Sequence, residues 1–147
     1  MKRSIGEPIV LTHLKMVEHF AKRIGDEQLK QIDLTQSQAD VIILLAHESD
    51  KVFRQRDIEI ALNYSNPTVT GLLNRLEQKD FIARRVDPGD SRARIISLTN
   101  KALEIIEEIY QSIRRTEQML LDGFSEEEIE ILQPLMSRIA KNALRHM

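Results

Sequence analysis

A chain of 147 residues, 41% hydrophobic and 30% charged, is sized for one globular domain with its own core and for no second ordinary one. It has no cysteine, which excludes disulfides, thiolate nucleophiles, thiolate metal sites and sensing by cysteine oxidation. Its net charge of −2 excludes any case for a polyanionic partner from overall charge, so such a case must rest on where the charges sit.

Apolar residues Val10, Leu14, Val17, Ala21 and Ile24 recur at steps of four and three, which predicts a helix with one narrow stripe, interrupted late by Gly25. The stretch 1–10 carries no long apolar leader segment, and no apolar run in the chain approaches the roughly 18–20 residues of a membrane span, so the cytoplasm is the expected compartment. Thr35 is placed to cap a second helix by accepting from Gln38 or its neighbours. Its expected core is Val41, Leu44 and Leu45, with Ile42 and Ile43 beside them. After His47–Asp50, Val52–Phe53 is long enough for only a stub of strand.

Arg54 to Leu62 reads as a short helix with Ile58, Ala61 and Leu62 inward, followed by a polar turn at Asn63–Tyr64 and cap candidates Ser65 and Asn66. Helix, tight turn and helix make the helix-turn-helix pattern. Pro67 falls in the first turn of the second of these helices, where its missing N–H costs nothing. Val69, Leu72, Leu73 and Leu76 give that helix a buried face. The opposite face, with Asn66, Thr68, Thr70, Gly71, Asn74, Arg75 and Lys79, is small and polar near the N-terminus and basic farther along, a shape suited to a groove.

Beyond Asp80 the period changes. Phe81–Val86 and Arg94–Leu98 flank a polar turn, Asp87–Ser91, which predicts a hairpin with arginines in both arms. Thr99 or Asn100 then caps a long helix to about Leu121, with a stripe of Ile105, Ile106, Ile109, Ile113 and Leu120. Its roughly 22 residues would span about 33 Å, more than this domain's own core requires, so the helix is expected to reach outward. Gly123 stops it, and Ser125–Glu128 forms a capping box for a last helix with Ile129, Leu132, Leu135, Ile139 and Ala143 inward. Pro134 is expected to kink or split that helix. Charge is uneven along this order: residues 65–101 carry seven Lys/Arg against four Asp/Glu, whereas 1–64 carry nine against ten and 102–147 five against nine.

The order of elements resembles the MarR family of regulators, and specific residues carry the likeness. Leu34-Thr35-Gln36-Ser37-Gln38 is similar to the opening of the family's second helix. Pro67-Thr68-Val69-Thr70 followed by Leu76-Glu77 is similar to its recognition helix, and Asp90-Ser91-Arg92 with Leu98-Thr99 to its wing. Asp80 departs from the pattern, standing where the family commonly has Gly. The resemblance implies a mainly α fold with a small β-hairpin wing: a winged helix-turn-helix domain over 35–99, flanked by dimerisation segments at 1–34 and 100–147. It further implies a homodimer on double-stranded DNA with a pseudo-palindromic operator, a recognition helix in each major groove and a wing arginine in the adjacent minor groove. A ligand-responsive repressor is the implied role. Its effector would be a small anionic or phenolic compound held between the dimerisation helices and the winged helix, where residues such as His13 or His19 could lie.

The residues supply physical reasons for these parts. A helix N-terminus directs free N–H groups at phosphate, and Asn or Thr side chains read base edges. Gly71 in mid-helix costs roughly 1 kcal/mol relative to Ala, which makes sense where the backbone must approach DNA or another helix. Arg92 near a hairpin tip suits a narrow minor groove, with Asp90 two residues earlier to orient it. The expected DNA-binding set is Ser65, Asn66, Pro67, Thr68, Thr70, Gly71, Asn74, Arg75, Asp90, Arg92 and Arg94. Arg84, Arg85 and Arg94 fit phosphate contacts and ordinary exposed strand positions equally well, and Lys51, Arg54 and Arg56 carry less signal. Ile109 and Ile139 are expected at the dimer interface.

Two other classes compete. A protein-binding adaptor could keep the scaffold without recognising an operator, since fold alone permits it. A small helical enzyme has no positive feature in its favour: no Ser/His/Asp set, phosphate loop or paired acids can be specified. His13 and His19, six residues apart, share no helix face, and His47 and His146 have no partner at ligand spacing, so no metal site is expected; no cofactor is expected either. Glu126–Glu128 is most simply a helix start.

Overall fold

The computed structural model describes residues 8–147; residues 1–7, with the leader-free reading that partly rests on them, lie outside the described residues. Helix α1 (Ile9–Leu29) is followed by a single 3₁₀ turn, Lys30–Ile32, closed by Asp33 in the left-handed region at φ 56°. Gly25 does not interrupt α1. It is buried, and a Cβ there would lie 2.1 Å from Oε1 of Gln36, so the missing side chain leaves room for α2 to lay Gln36 across α1. Leu14, Ala21 and Ile24 of the expected stripe are half-buried, while Val10 and Val17 are exposed.

Thr35 caps α2 (Gln36–His47) as a reciprocal box: its Oγ1 accepts the Gln38 N–H at 3.3 Å and its own N–H donates to Gln38 Oε1 at 3.2 Å. The buried side is Val41, Ile42 and Leu45; Leu44, expected inward, is half-buried, and Ile42 takes the inner place. Phe53 forms an isolated bridge to Ile96, accepting its N–H at 2.8 Å. In α3 (Gln55–Leu62) Ile58 is buried and Leu62 half-buried, but Ala61 is exposed, contrary to expectation. Glu59 is buried instead because three neighbouring side chains saturate its carboxylate.

Asn63, left-handed at φ 52°, turns the chain into α4 (Asn66–Gln78), capped by Ser65 Oγ accepting from the Thr68 N–H. Val69, Leu73 and Leu76 are wholly buried. The hairpin β1 (Ile82–Asp87) and β2 (Asp90–Leu98) is antiparallel, and its strands run farther than the sequence suggested, leaving a two-residue turn at Pro88–Gly89 in place of five. Val86 pairs with Arg94 but Asp87 with Asp90, so Ser91, Arg92 and Ala93 bulge from β2 without partners on β1.

The expected single long helix is two. Thr99 caps α5 (Asn100–Glu104), and α6 (Ile106–Leu120) starts after a break at Ile105. Neither Gly nor Pro marks that break. Its cause is tertiary: α5 packs on β2, whereas α6 packs on α1 and α2. Helix α7 (Glu126–Arg145) begins at the Ser125–Glu128 box and runs through Pro134 without dividing, since the carbonyl left without a helical partner by the proline belongs to exposed Glu130, where water can serve. None of α7 is buried and it makes no more than marginal contact with other elements. One continuous core, centred on Leu29, Ile42, Ile58, Leu73, Leu76, Ile82 and Ile109, joins α1–α4, the hairpin and α6. At about 1.5–3 kcal/mol per fully buried large aliphatic side chain, this core fixes α4 and the wing relative to each other.

Candidate nucleic-acid interface

Helix α4 presents Pro67, Thr68, Gly71, Asn74 and Arg75 to solvent. Its N-terminal half is braced from α3 rather than left free. Glu59 accepts from Arg56 Nη1 at 2.9 Å, Asn66 Nδ2 at 2.6 Å and Gln55 Nε2 at 3.3 Å; Gln55 Nε2 also donates to Thr70 Oγ1 at 2.8 Å. Hydrogen bonds from Arg56 first and Asn66 next hold the Glu59 carboxyl below its ordinary value. Asn66 and Thr70 are therefore tied to α3, Ser65 is occupied with its cap and with the Thr68 hydroxyl at 2.8 Å, and Asn74 accepts from Arg84 Nη2 at 2.7 Å. Asn74 keeps its amide donors.

Lys79, placed with the outward face by the sequence, turns inward. Its Nζ donates to the Asp33 carbonyl at 2.6 Å and to Gln38 Oε1 at 3.2 Å, stapling the end of α4 to the start of α2.

Two arginines dock the wing. Arg54, just before α3, donates through Nε to Asp87 Oδ2 at 2.6 Å, and Asp87 Oδ1 accepts the Gly89 N–H at 2.8 Å. That backbone bond, followed by Arg54, lowers the Asp87 pKa. Arg84 spans from β1 to Glu77 of α4 at 3.0 and 3.1 Å, lowering the Glu77 pKa. At the tip, Asp90 Oδ1 accepts the backbone N–H of Arg92 at 2.9 Å, so Asp90 orients the main chain of the bulge and not the guanidinium as expected. Arg94 braces the same bulge through the carbonyls of Ser91 and Ala93. Among the described residues no carboxylate pairs with Arg75, Arg85 or Arg92.

Arg92 and Arg94 line a shared depression with Arg54, Arg56 and Arg84. In the sequence Arg54 and Arg56 carried less signal than the other arginines, and nothing pointed to Gln55 and Glu59 as the residues that join α3 to α4. The Arg56–Glu59 spacing of three was a readable helical pair. The Arg54–Asp87 pair, 33 residues apart, had no local signal.

A second feature borders α2. A crevice of about 400 Å³ opens between α1, α2, α6 and the turn before α4, lined by Glu18, Ala21, Lys22, Gln36, Asp40, Tyr64, Ile113, Thr116, Glu117 and Leu120. His13 and His19 do not line it. Among the described residues no group of three His, Asp or Glu side chains could hold a metal ion, and no helix is long and apolar enough to cross a membrane.

A helix-turn-helix joined to a docked, arginine-bearing hairpin defines a winged-helix protein. The profile of the MarR family matches residues 32–93. The chain is similar to the MepR of a structure of the S. aureus MepR–DNA complex, at 30% identity over 90% of this chain and 96% of that one, with a TM-score of 0.78. It is also similar to the transcription regulator MarR from Oenococcus oeni, at 28% identity over 90% and 98%, TM-score 0.68. A MarR transcriptional regulator from Methanosarcina mazei, 13% identical over 96% and 100%, shares the fold with a TM-score of 0.88. The chain belongs to the MarR family.

Proposed function

We propose that this chain is a DNA-binding transcription regulator that grips a pseudo-palindromic operator as a homodimer and acts as a ligand-responsive repressor. The observation that carries the reading is Arg92, which has no carboxylate partner among the described residues, on a bulge braced by Asp90 and Arg94 at an arginine-lined depression that α3 and α4 share with the wing. The solved complex of the related MepR with DNA supports the same partner. In this reading Thr68, Asn74 and Arg75 face base edges and phosphates, Gly71 admits the close approach, and Ser65, Asn66, Pro67 and Thr70 shape and hold the helix start. Arg92 enters the minor groove while Asp90 and Arg94 fix its backbone. Segments 1–34 and 100–147 form the dimer, 35–99 reads DNA, and the crevice beside α2 holds the effector. No catalytic role is assigned.

Operator affinity of Arg92→Ala across a salt series tests this reading. Losing one DNA-neutralising cation per protomer should flatten the slope of log K against log salt by about one unit per contact, about two for the dimer. The half-sites should lie about 10–10.5 base pairs apart. Full affinity with an unchanged slope would remove the wing from DNA binding and favour the adaptor reading, as would binding of upstream DNA no tighter than random DNA.

A further inference from the structure

The effector crevice has a chemistry that differs from what the resemblance implied. Its apolar walls come from Ala21, Ile113 and Leu120, and its charged rim carries three carboxylates, Glu18, Asp40 and Glu117, against one cation, Lys22. Among the described residues none of these carboxylates is in a salt bridge. Asp40 is the partly buried one. It accepts from Gln36 Nε2 at 2.9 Å and from the Tyr64 hydroxyl at 3.2 Å, both neutral donors. Burial pushes its pKa up in spite of them and of the more distant Lys22, the behaviour of a carboxylate that lacks a contacting counter-charge. A volume of about 400 Å³ suits a small organic molecule.

Tyr64 stands between the left-handed Asn63 that ends α3 and the Ser65 that caps α4. Its hydroxyl bond to Asp40 thus joins the crevice to the turn that leads into α4. We propose that the crevice takes a small lipophilic cation, an aryl ammonium held against Asp40 with Glu18 and Glu117 at the rim, and that Tyr64 transmits its presence to α4.

This inference rests on the crevice being the effector site, and the test separates the two. The full-length protein is titrated calorimetrically with 2-naphthylmethylammonium and with 2-naphthoate, which share a ring system and differ in charge. The ammonium should bind at least tenfold more tightly than the carboxylate. Asp40→Asn, which keeps the side-chain shape and one acceptor oxygen but removes the charge, should abolish most of that preference, and Glu117→Gln at the exposed rim should reduce it severalfold without touching the interior. Operator affinity of the native protein should fall on adding the ammonium, and Tyr64→Phe should weaken that fall while ammonium binding persists. Tighter binding of naphthoate, lost on Lys22→Met, would overturn the cationic class and leave the crevice as effector site. If both probes bind and none of these substitutions alters either, or if neither binds, the crevice itself is overturned. Tyr64→Phe responding to ammonium like the native protein would overturn the relay.

Discussion

Gly71 occupies the middle of α4, and a Cβ added there would meet nothing within 4 Å. Among the described residues no neighbour accounts for a residue that costs up to about 1 kcal/mol relative to Ala in a helix, so of the two reasons the sequence allowed, close packing of another described helix drops out. Gly71→Ala should therefore raise the melting temperature by roughly 2–4 °C while weakening operator binding. A stabilised variant with undiminished affinity would place the DNA contact elsewhere on α4. Asp80 is the opposite case: a left-handed residue at φ 64° with a Cβ, at the position where the family resemblance expected Gly. Its carbonyl accepts the Thr99 hydroxyl at 2.6 Å, a bond that any residue retains. Asp80→Gly should thus stabilise by about 0.5–1 kcal/mol, read as a higher denaturation midpoint with unchanged slope. The caps Thr35, Ser65, Thr99 and Ser125 were readable because each acts within three residues. Glu59 was not, since its burial depends on donors from Gln55, Arg56 and Asn66 converging across a turn.

At the scale of elements, hydrophobic periodicity located the long helices but merged α5 with α6, and its failures fall where one element's shape is imposed by others. The break at Ile105 follows from α5 and α6 docking on different partners, and the hairpin's short turn follows from Asp87 being pinned by Arg54 and Gly89. These docking contacts are acid-sensitive. Asp87 is held below its ordinary 3.8, and Glu59 and Glu77 below 4.5. Groups with lowered folded pKa values stabilise fully above those unfolded values and lose that contribution as pH falls through the lower folded ones. Asp87→Asn should accordingly lower the melting temperature by several degrees at neutral pH, and the gap from the native protein should close in strong acid. Thermal melts across that range check this. A gap independent of pH would mean that the Asp87 charge does not hold the wing.

At the scale of the whole molecule, the least satisfied surface is α7 with the first half of α1. Ile131, Leu135, Met136, Ile139 and Leu144 of α7 and Val10, Leu11, Val17 and Phe20 of α1 are all exposed, more large apolar side chains than a monomer leaves to water on two helices without a use for them. A second copy of the chain is the partner expected from the dimeric reading. The sequence placed Ile109 and Ile139 together on that interface, because a helical stripe states which residues share a face but not what covers it. In the structure they separate: Ile109 is 0% exposed within the chain's own core, and Ile139 is 37% exposed on α7. The two substitutions should therefore fail differently. Ile109→Glu buries a charge without a partner and should unfold the protein, seen as loss of the cooperative melt. Ile139→Glu should leave the α-helical circular dichroism intact, shift sedimentation from dimer to monomer, and weaken operator binding because a monomer grips only one half-site. An Ile139→Glu protein that stays dimeric with full operator affinity would move the interface away from this face of α7.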